Sequence, residues 1–230
     1  MNFFLTLFNT SLGKKYLMAI TGVLLCLFVL GHMAGNMALF AGQNAINDYA
    51  AFLKSKTALL WGARLGLLGT VAVHIWAAIT LSQMNKAARP VGYYDATPPK
   101  AKAGSTWMLA AGLTVLAFII IHILHFTVGA VMSDAYSMKQ TLDDGTVRHD
   151  VYGMVVAGFQ NPVMALFYLG AMAVLCFFHL KHGVSSLFQS LGLRHPKWAS
   201  TIDCIAVLFA WVIFLGNAAI VLSVLLGIVK

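Results

Sequence analysis

The sequence predicts an all-α fold, an integral membrane bundle of five transmembrane helices forming one domain over residues 1–230. Three observations carry that prediction. Hydrophobic residues make up 60% of the 230 and charged residues only 10%, with no glutamate at all; a soluble domain runs near roughly 25% charged. Five apolar runs, roughly 16–40, 59–81, 107–132, 163–180 and 204–229, are each long enough as helices to cross a hydrocarbon core of about 30 Å. Lipid offers no partner to exposed backbone polar groups, so unbroken runs of that length must be helical.

The first run is longer than the apolar region of a cleavable signal and carries His32 and Asn36, so it reads as a retained helix. The approach to it, Asn2 to Phe8, suits a segment lying along the membrane surface. Linkers are expected at 42–55, 82–106, 133–160 and 181–203; the second holds Pro90, Pro98 and Pro99, the third Asp134, Asp143, Asp144 and Asp150. With the N-terminus inside, nine basic residues (Lys14, Lys15, Lys86, Arg89, Lys100, Lys102, Lys181, Arg194, Lys197) face the cytoplasm and six (Lys54, Lys56, Arg64, Lys139, Arg148, Lys230) face outward. That bias sets a cytoplasmic N-terminus and an external C-terminus. The net charge of +8 then suits anionic lipid or a docked cytoplasmic partner. Nucleic acid is a poor partner, because the charge is not gathered on a soluble module. Cys26, Cys176 and Cys204 read as small apolar packing residues; no Cys-x-x-Cys-His is present to attach haem covalently.

Four of the five runs carry a histidine well inside the apolar part: His32, His74, His122 and His179. Imidazoles in hydrocarbon are costly and are kept where they have a partner or a function. At about 1.5 Å of rise per residue, His74 and His179 lie roughly 10–14 Å from the inner edge and His32 and His122 roughly 22–24 Å. The arithmetic pairs His74 with His179 in an inner layer and His32 with His122 in an outer one. Paired imidazoles on facing helices are the usual axial ligands of a buried haem iron, and bundle cores are where such sites are built. Gly31 and Gly35 beside His32, and Ala77 and Ala78 after His74, would leave room for a macrocycle, though small residues also let helices pack closely. Arg64 could pair with a haem propionate or simply snorkel to the interface. His125 and His182 lie one turn beyond two of the candidate ligands. Either could replace its neighbour, bind a propionate, line a quinone pocket, or make an ordinary polar contact. His149 and His195 fall in expected loops and read as solvated.

Other chemistries fit less well. A proton-coupled transporter would also bury histidines, but it usually adds intramembrane acids, and these runs hold none. A diiron oxidase built on 122–125 and 179–182 would need its ligands at one depth, and these lie at two. A cytochrome stacking two haems between one helix pair would carry two histidines per helix, whereas this chain spreads them singly.

The motifs also resemble a family. Ser11-Leu-Gly-Lys-Lys-Tyr-Leu-Met-Ala-Ile-Thr-Gly22, His32-Met-Ala-Gly-Asn36, Phe118-Ile-Ile-Ile-His122 and Phe178-His179-Leu-Lys-His-Gly183 follow one another along nearly the whole chain. In that order they resemble the cytochrome b membrane anchor of succinate:quinone oxidoreductases and fumarate reductases (respiratory complex II), in its single-chain, five-helix, two-haem form. His74 matches by its place in the second helix. The resemblance implies two non-covalent b haems, held by His32, His74, His122 and His179, with His179 favoured over His182. It implies a flavoprotein and an iron–sulfur subunit on the cytoplasmic face of a bacterial inner membrane. It also implies a quinone, menaquinone being frequent among two-haem members, and leaves room for a higher oligomer. This chain would carry electrons and would not itself act on succinate. One departure stands out: where some relatives place a proton-carrying glutamate before the fourth-helix ligand, this chain has Phe177 and Phe178.

Overall fold

The apolar runs become helices; the first, second and fourth extend beyond the stretches predicting them, while the third ends at Val128 and the fifth at Leu225, short of 132 and 229. In the computed structural model, which describes residues 3–88 and 103–230, five helices are long and apolar enough to cross a membrane. They are Ser11–Ala41, Thr57–Ala87, Trp107–Val128, Pro162–Ser190 and Pro196–Leu225. The chain is a multi-pass membrane protein. In order, its elements are α1 (Phe3–Asn9), α2 (Ser11–Asn36) with a 3₁₀ extension (Met37–Ala41), α3 (Gln43–Ser55), α4 (Thr57–Ala87), and α5 (Ala103–Ile123) with a π-helical turn (Leu124–Val128). There follow α6 (Ser133–Tyr136), the strands β1 (Lys139–Thr141) and β2 (Val147–His149), α7 (Val151–Gln160), α8 (Pro162–Ala173) with a π-helical segment (Val174–Leu180), α9 (Lys181–Ser190) and α10 (Pro196–Leu225). The prolines of the second linker, with Arg89, Lys100 and Lys102, lie outside the described residues.

The other linkers are more ordered than the sequence suggests. Residues 43–55 form an amphipathic helix that buries Ile46 and Asn47. The fourth span runs on as α9, with no proline after Pro162 and with Gly183 kept helical, until Gly192, whose φ of +74° follows its end. The fifth span starts at Pro196, ahead of the run beginning at 204, since proline suits a first helical position and the His195 side chain accepts from the Lys197 amide at 3.2 Å. His195 is exposed, as expected of a solvated residue, and caps the helix as well. The N-terminal approach is a short helix folded back on α2. Thr10 caps α2 by accepting from the Gly13 amide at 3.0 Å, and a Cβ on Gly13 would sit 2.5 Å from Leu7 Cα.

α2 packs against α4 and α9, α10 against α8 and α9, and α5 against the π-helical segment after α8. Outward faces are bare hydrocarbon: Leu65, Leu68, Val163, Leu166 and Leu208 are each more than 60% exposed, a pattern a water-soluble surface would not tolerate over so many helices. Trp76, with Lys14 over its ring at 5.5 Å, and Trp198, with Lys197 at 5.2 Å, sit toward one end of the bundle. Such amphipathic pairs are typical of the membrane–water boundary.

The opposite end is capped by α3, the β1–β2 hairpin and α7, joined through one buried carboxylate. Asp150 accepts from Asn47 Nδ2 at 2.8 Å and the Gly153 amide at 3.0 Å on Oδ1, and from Gln43 Nε2 at 2.9 Å on Oδ2. Asn47 also donates to Gln140 Oε1 at 2.8 Å and accepts from the Tyr152 amide at 3.0 Å. Arg148 on β2 ties the hairpin to Asp48 and, at 3.1 Å, to Asn44 of α3. His149 joins the same cap, its Nε2 lying 2.7 Å from the Tyr136 carbonyl oxygen, so it is not a solvated loop residue.

Burial alone would raise the Asp150 pKa, but hydrogen bonds from Asn47, the Gly153 amide and Gln43, with His149 nearby, hold it below the ordinary carboxylate value. A depressed carboxyl stabilises the fold above its unfolded pKa of about 3.9, and that contribution is lost as pH falls through the folded value. Hydrogen exchange in detergent should therefore show amide protection of the hairpin and α7 unchanged from about pH 7 to 5 and lost below about pH 4. Asp150→Ala should weaken that protection by about 2 kcal/mol at neutral pH, through loss of a helix cap and orphaned donors.

Candidate functional site, two layers of paired histidines

Four spans bring four histidines together in two pairs. On α2 and α5, His32 and His122 have ring centroids 5.7 Å apart with planes at 84°. On α4 and the π-helical segment after α8, His74 and His179 lie 6.4 Å apart at 63°. His74 follows the first residue of α4 (Thr57) by 17 positions, and His179 follows the first residue of α8 (Pro162) by the same 17. At about 1.5 Å per residue both sit roughly 26 Å from the capped end. His32 precedes the end of its span at Ala41 by nine residues and His122 precedes Val128 by six, so their layer lies within roughly 9–14 Å of the capped end.

Each histidine is set by its local backbone. His32 lies in the last turns of α2, where Asn36 Nδ2 donates to the His32 carbonyl oxygen at 2.8 Å; Phe28 stacks on its ring at 5.3 Å. His122 ends the regular part of α5 between Phe118 at 5.7 Å and Phe126 at 5.6 Å. A Cβ on Gly112 would stand 3.6 Å from His179 Cε1, and one on Gly22 would stand 3.8 Å from His74 Cε1. These glycines, not those flanking His32, lie against ligand candidates. Gly31 faces open space, and the space beside Gly35 is filled by Tyr49, whose hydroxyl would lie 2.8 Å from an added Cβ.

The π-helical turns distinguish each histidine from its neighbour one turn on. His125 lies in the wide turn after α5 and turns away into the core. Its Nδ1 is 3.1 Å from the Tyr168 hydroxyl, its ring stacks on Phe126 at 3.9 Å, and it is 1% exposed. Of the four paired histidines, His32 is exposed and His74, His122 and His179 are half-buried. On the other π-helical segment it is His179 that meets His74, while His182 lies half-buried at the start of α9. Arg64 is exposed on α4, its guanidinium 5.1 Å over the Trp61 ring. Phe177 packs on Trp211 and Phe214 at 4.7 and 5.0 Å, and Phe178 is exposed.

The donor set tests what these layers can hold. Among the described residues there is no cluster of three or more histidine, cysteine or carboxylate ligands. A bare metal ion needs three or four protein ligands, whereas an iron already held in a porphyrin plane needs only two. Two imidazoles bound on opposite sides of one metal at about 2.0–2.1 Å per bond have ring centroids roughly 6 Å apart. The spacings of 5.7 and 6.4 Å lie near that separation, within the range that edge-to-face ring contact also occupies. His122 and His179 also each carry a buried Nδ1 without a hydrogen-bond partner, an expense that calls for a compensating function. The fifth span, which begins at Pro196 and not at 204, does take in one acid, Asp203. It is neutralised by a forked pair with Arg194 at 3.0 Å through each oxygen. Compared with known proteins, the chain matches no family model, no curated protein and no solved structure.

Packing around His125 gives a test of its role. A Cβ on Gly158 would lie 3.1 Å from both Cε1 and Nε2 of His125. Gly158→Ala should cost about 1–3 kcal/mol by overpacking, read as thermal stability in detergent, and clearly less in a His125→Ala background, since the two positions share one contact.

Proposed function

We propose that this chain is the dihaem cytochrome b anchor of a succinate dehydrogenase or fumarate reductase complex. The observation that carries the reading is the pair of imidazole pairs, each at the spacing of two axial ligands and at separate depths. The ordered motifs across four spans support the same family. When bound, haem would supply one-electron carriage at each depth.

The chain's own residues do the rest. His74 and His179 would hold one group and His32 and His122 the other, and two histidines on one iron would keep oxygen and small ligands from it. Phe28, Phe118 and Phe126 wall the layer near the cap and exclude water from it. The uncapped end gathers Lys14, Lys15, Lys86, Lys181 and Lys197, a basic face suited to a docked iron–sulfur subunit with its flavoprotein. That end is assigned to the cytoplasmic side of a bacterial inner membrane, with the C-terminus outside. Membrane quinone, menaquinone in this reading, exchanges electrons with the chain; succinate or fumarate is handled by the partners. With Phe177 and Phe178 committed to aromatic and lipid contacts, proton movement along that stretch of the fourth span has no carboxylate to use. A histidine-bearing proton-coupled transporter is the alternative. Two facing pairs of histidines disfavour it, because a proton relay has no need of them.

Substitution in the assembled complex separates the two. His74→Leu and His179→Leu should each remove one and the same b-type component from the reduced visible spectrum. His32→Leu and His122→Leu should each remove the other, while His125→Gln and His182→Gln keep both. Spectra without b-type absorption in the unsubstituted complex would favour the transporter.

A further inference from the structure

His74 makes one polar contact that iron ligation does not itself require. Its Nδ1 lies 2.9 Å from Oγ1 of Thr21, a residue of α2 that is 7% exposed. The same hydroxyl is 2.7 Å from the Leu17 carbonyl oxygen and 3.1 Å from that of Met18. A hydroxyl has one proton and two lone pairs. The short contact to Leu17 takes the proton, as is usual for a threonine bonding back along its own helix. Toward His74, then, Thr21 can only accept, and Nδ1 must carry the hydrogen. A neutral imidazole protonated at Nδ1 presents its lone pair on Nε2. Gly22, the next residue, lets the ring lie close along α2, a Cβ there being 3.8 Å from Cε1. The partner ligand has no such support: Nδ1 of His179 is buried without a hydrogen-bond partner, and so is Nδ1 of His122 in the other layer.

We propose that Thr21 is the positioning residue of the His74/His179 layer: it selects Nε2 of His74 as the ligating nitrogen, fixes the ring's orientation, and lowers the reduction potential of that layer's haem alone. The inference rests on the dihaem reading. A hydrogen bond accepted from Nδ1–H makes the imidazole a stronger donor, which favours the oxidised iron.

The test is a redox titration with low-temperature EPR of the assembled complex carrying Thr21→Val or Thr21→Ser. Each haem is assigned to its layer by the component lost in His179→Leu or His122→Leu. Thr21→Val keeps the shape and removes the acceptor. It should raise the potential of the His74/His179 haem by about a tenfold change in its oxidised-to-reduced equilibrium, ~59 mV for a one-electron couple. The same variant should alter that haem's g-values, which report ring orientation, and leave the other haem unmoved. Thr21→Ser should restore both properties. Loss of that one haem in Thr21→Val, with retention in Thr21→Ser, also supports the proposal. Unchanged potential and g-values in Thr21→Val, or an equal shift in both haems, overturns it and leaves the dihaem reading intact. Absence of haem from the unsubstituted complex overturns both.

Discussion

A polar ring placed among hydrocarbon side chains must be compensated, and this bundle is organised around that constraint. Four imidazoles sit in four different spans, and each meets another across a helix interface. Pairing by itself does not remove the cost, since two neutral rings in edge contact satisfy few of each other's nitrogens. Buried Nδ1 atoms of His122 and His179 remain without partners. In the proposed reading the compensation is a shared occupant, a metal bound from both sides by the two rings of each pair.

The rest of the fold positions these pairs. Two π-helical turns, one after His122 and one containing His179, break the regular stacking of residues three apart. They separate each pairing histidine from the second histidine that follows it. Such wide turns concentrate at functional positions in helices. His125 illustrates the result: an i+3 neighbour that should share a face with His122 is instead closed into the core by Tyr168, Phe126 and Gly158. At one end, Asp150 and Asn47 weld α3, the hairpin and α7 into a cap through hydrogen bonds to Gln43, Gln140 and the Tyr152 and Gly153 amides. That cap lies over the His32/His122 layer, and Gly35 is small so that Tyr49 of α3 can pack directly on α2.

Much of this is legible in the sequence. The five spans are, because a nearly uncharged run of twenty residues has few alternatives to a membrane helix. The two histidine layers are too, because helical rise converts residue number into depth and the pairs differ by more than the uncertainty in span edges. The connections are harder to read. Residues 43–55 and 181–190 mix polar and apolar side chains on different faces, and their helical character comes from packing against the bundle. The π-helical turns leave no trace in hydropathy, since residues on every side of those spans are apolar. The room expected beside Gly35 is occupied by a side chain distant in sequence. The glycines that do approach histidines, Gly22 and Gly112, lie on other helices. Thr21 gives no signal of its own, because threonine in an apolar helix ordinarily bonds back to its own backbone. Only the crossing of α2 with α4 brings it to His74.

Two histidine layers at two depths, on helices that also form the bundle's walls, are the geometry on which the proposed electron path rests. The claim that most needs testing is that each pair holds one haem. The direct measurement is the haem-to-polypeptide ratio of the purified, unsubstituted complex, taken as the pyridine haemochrome against protein mass. Two haems b per copy of this chain is the expected result; one, or none, would contradict it.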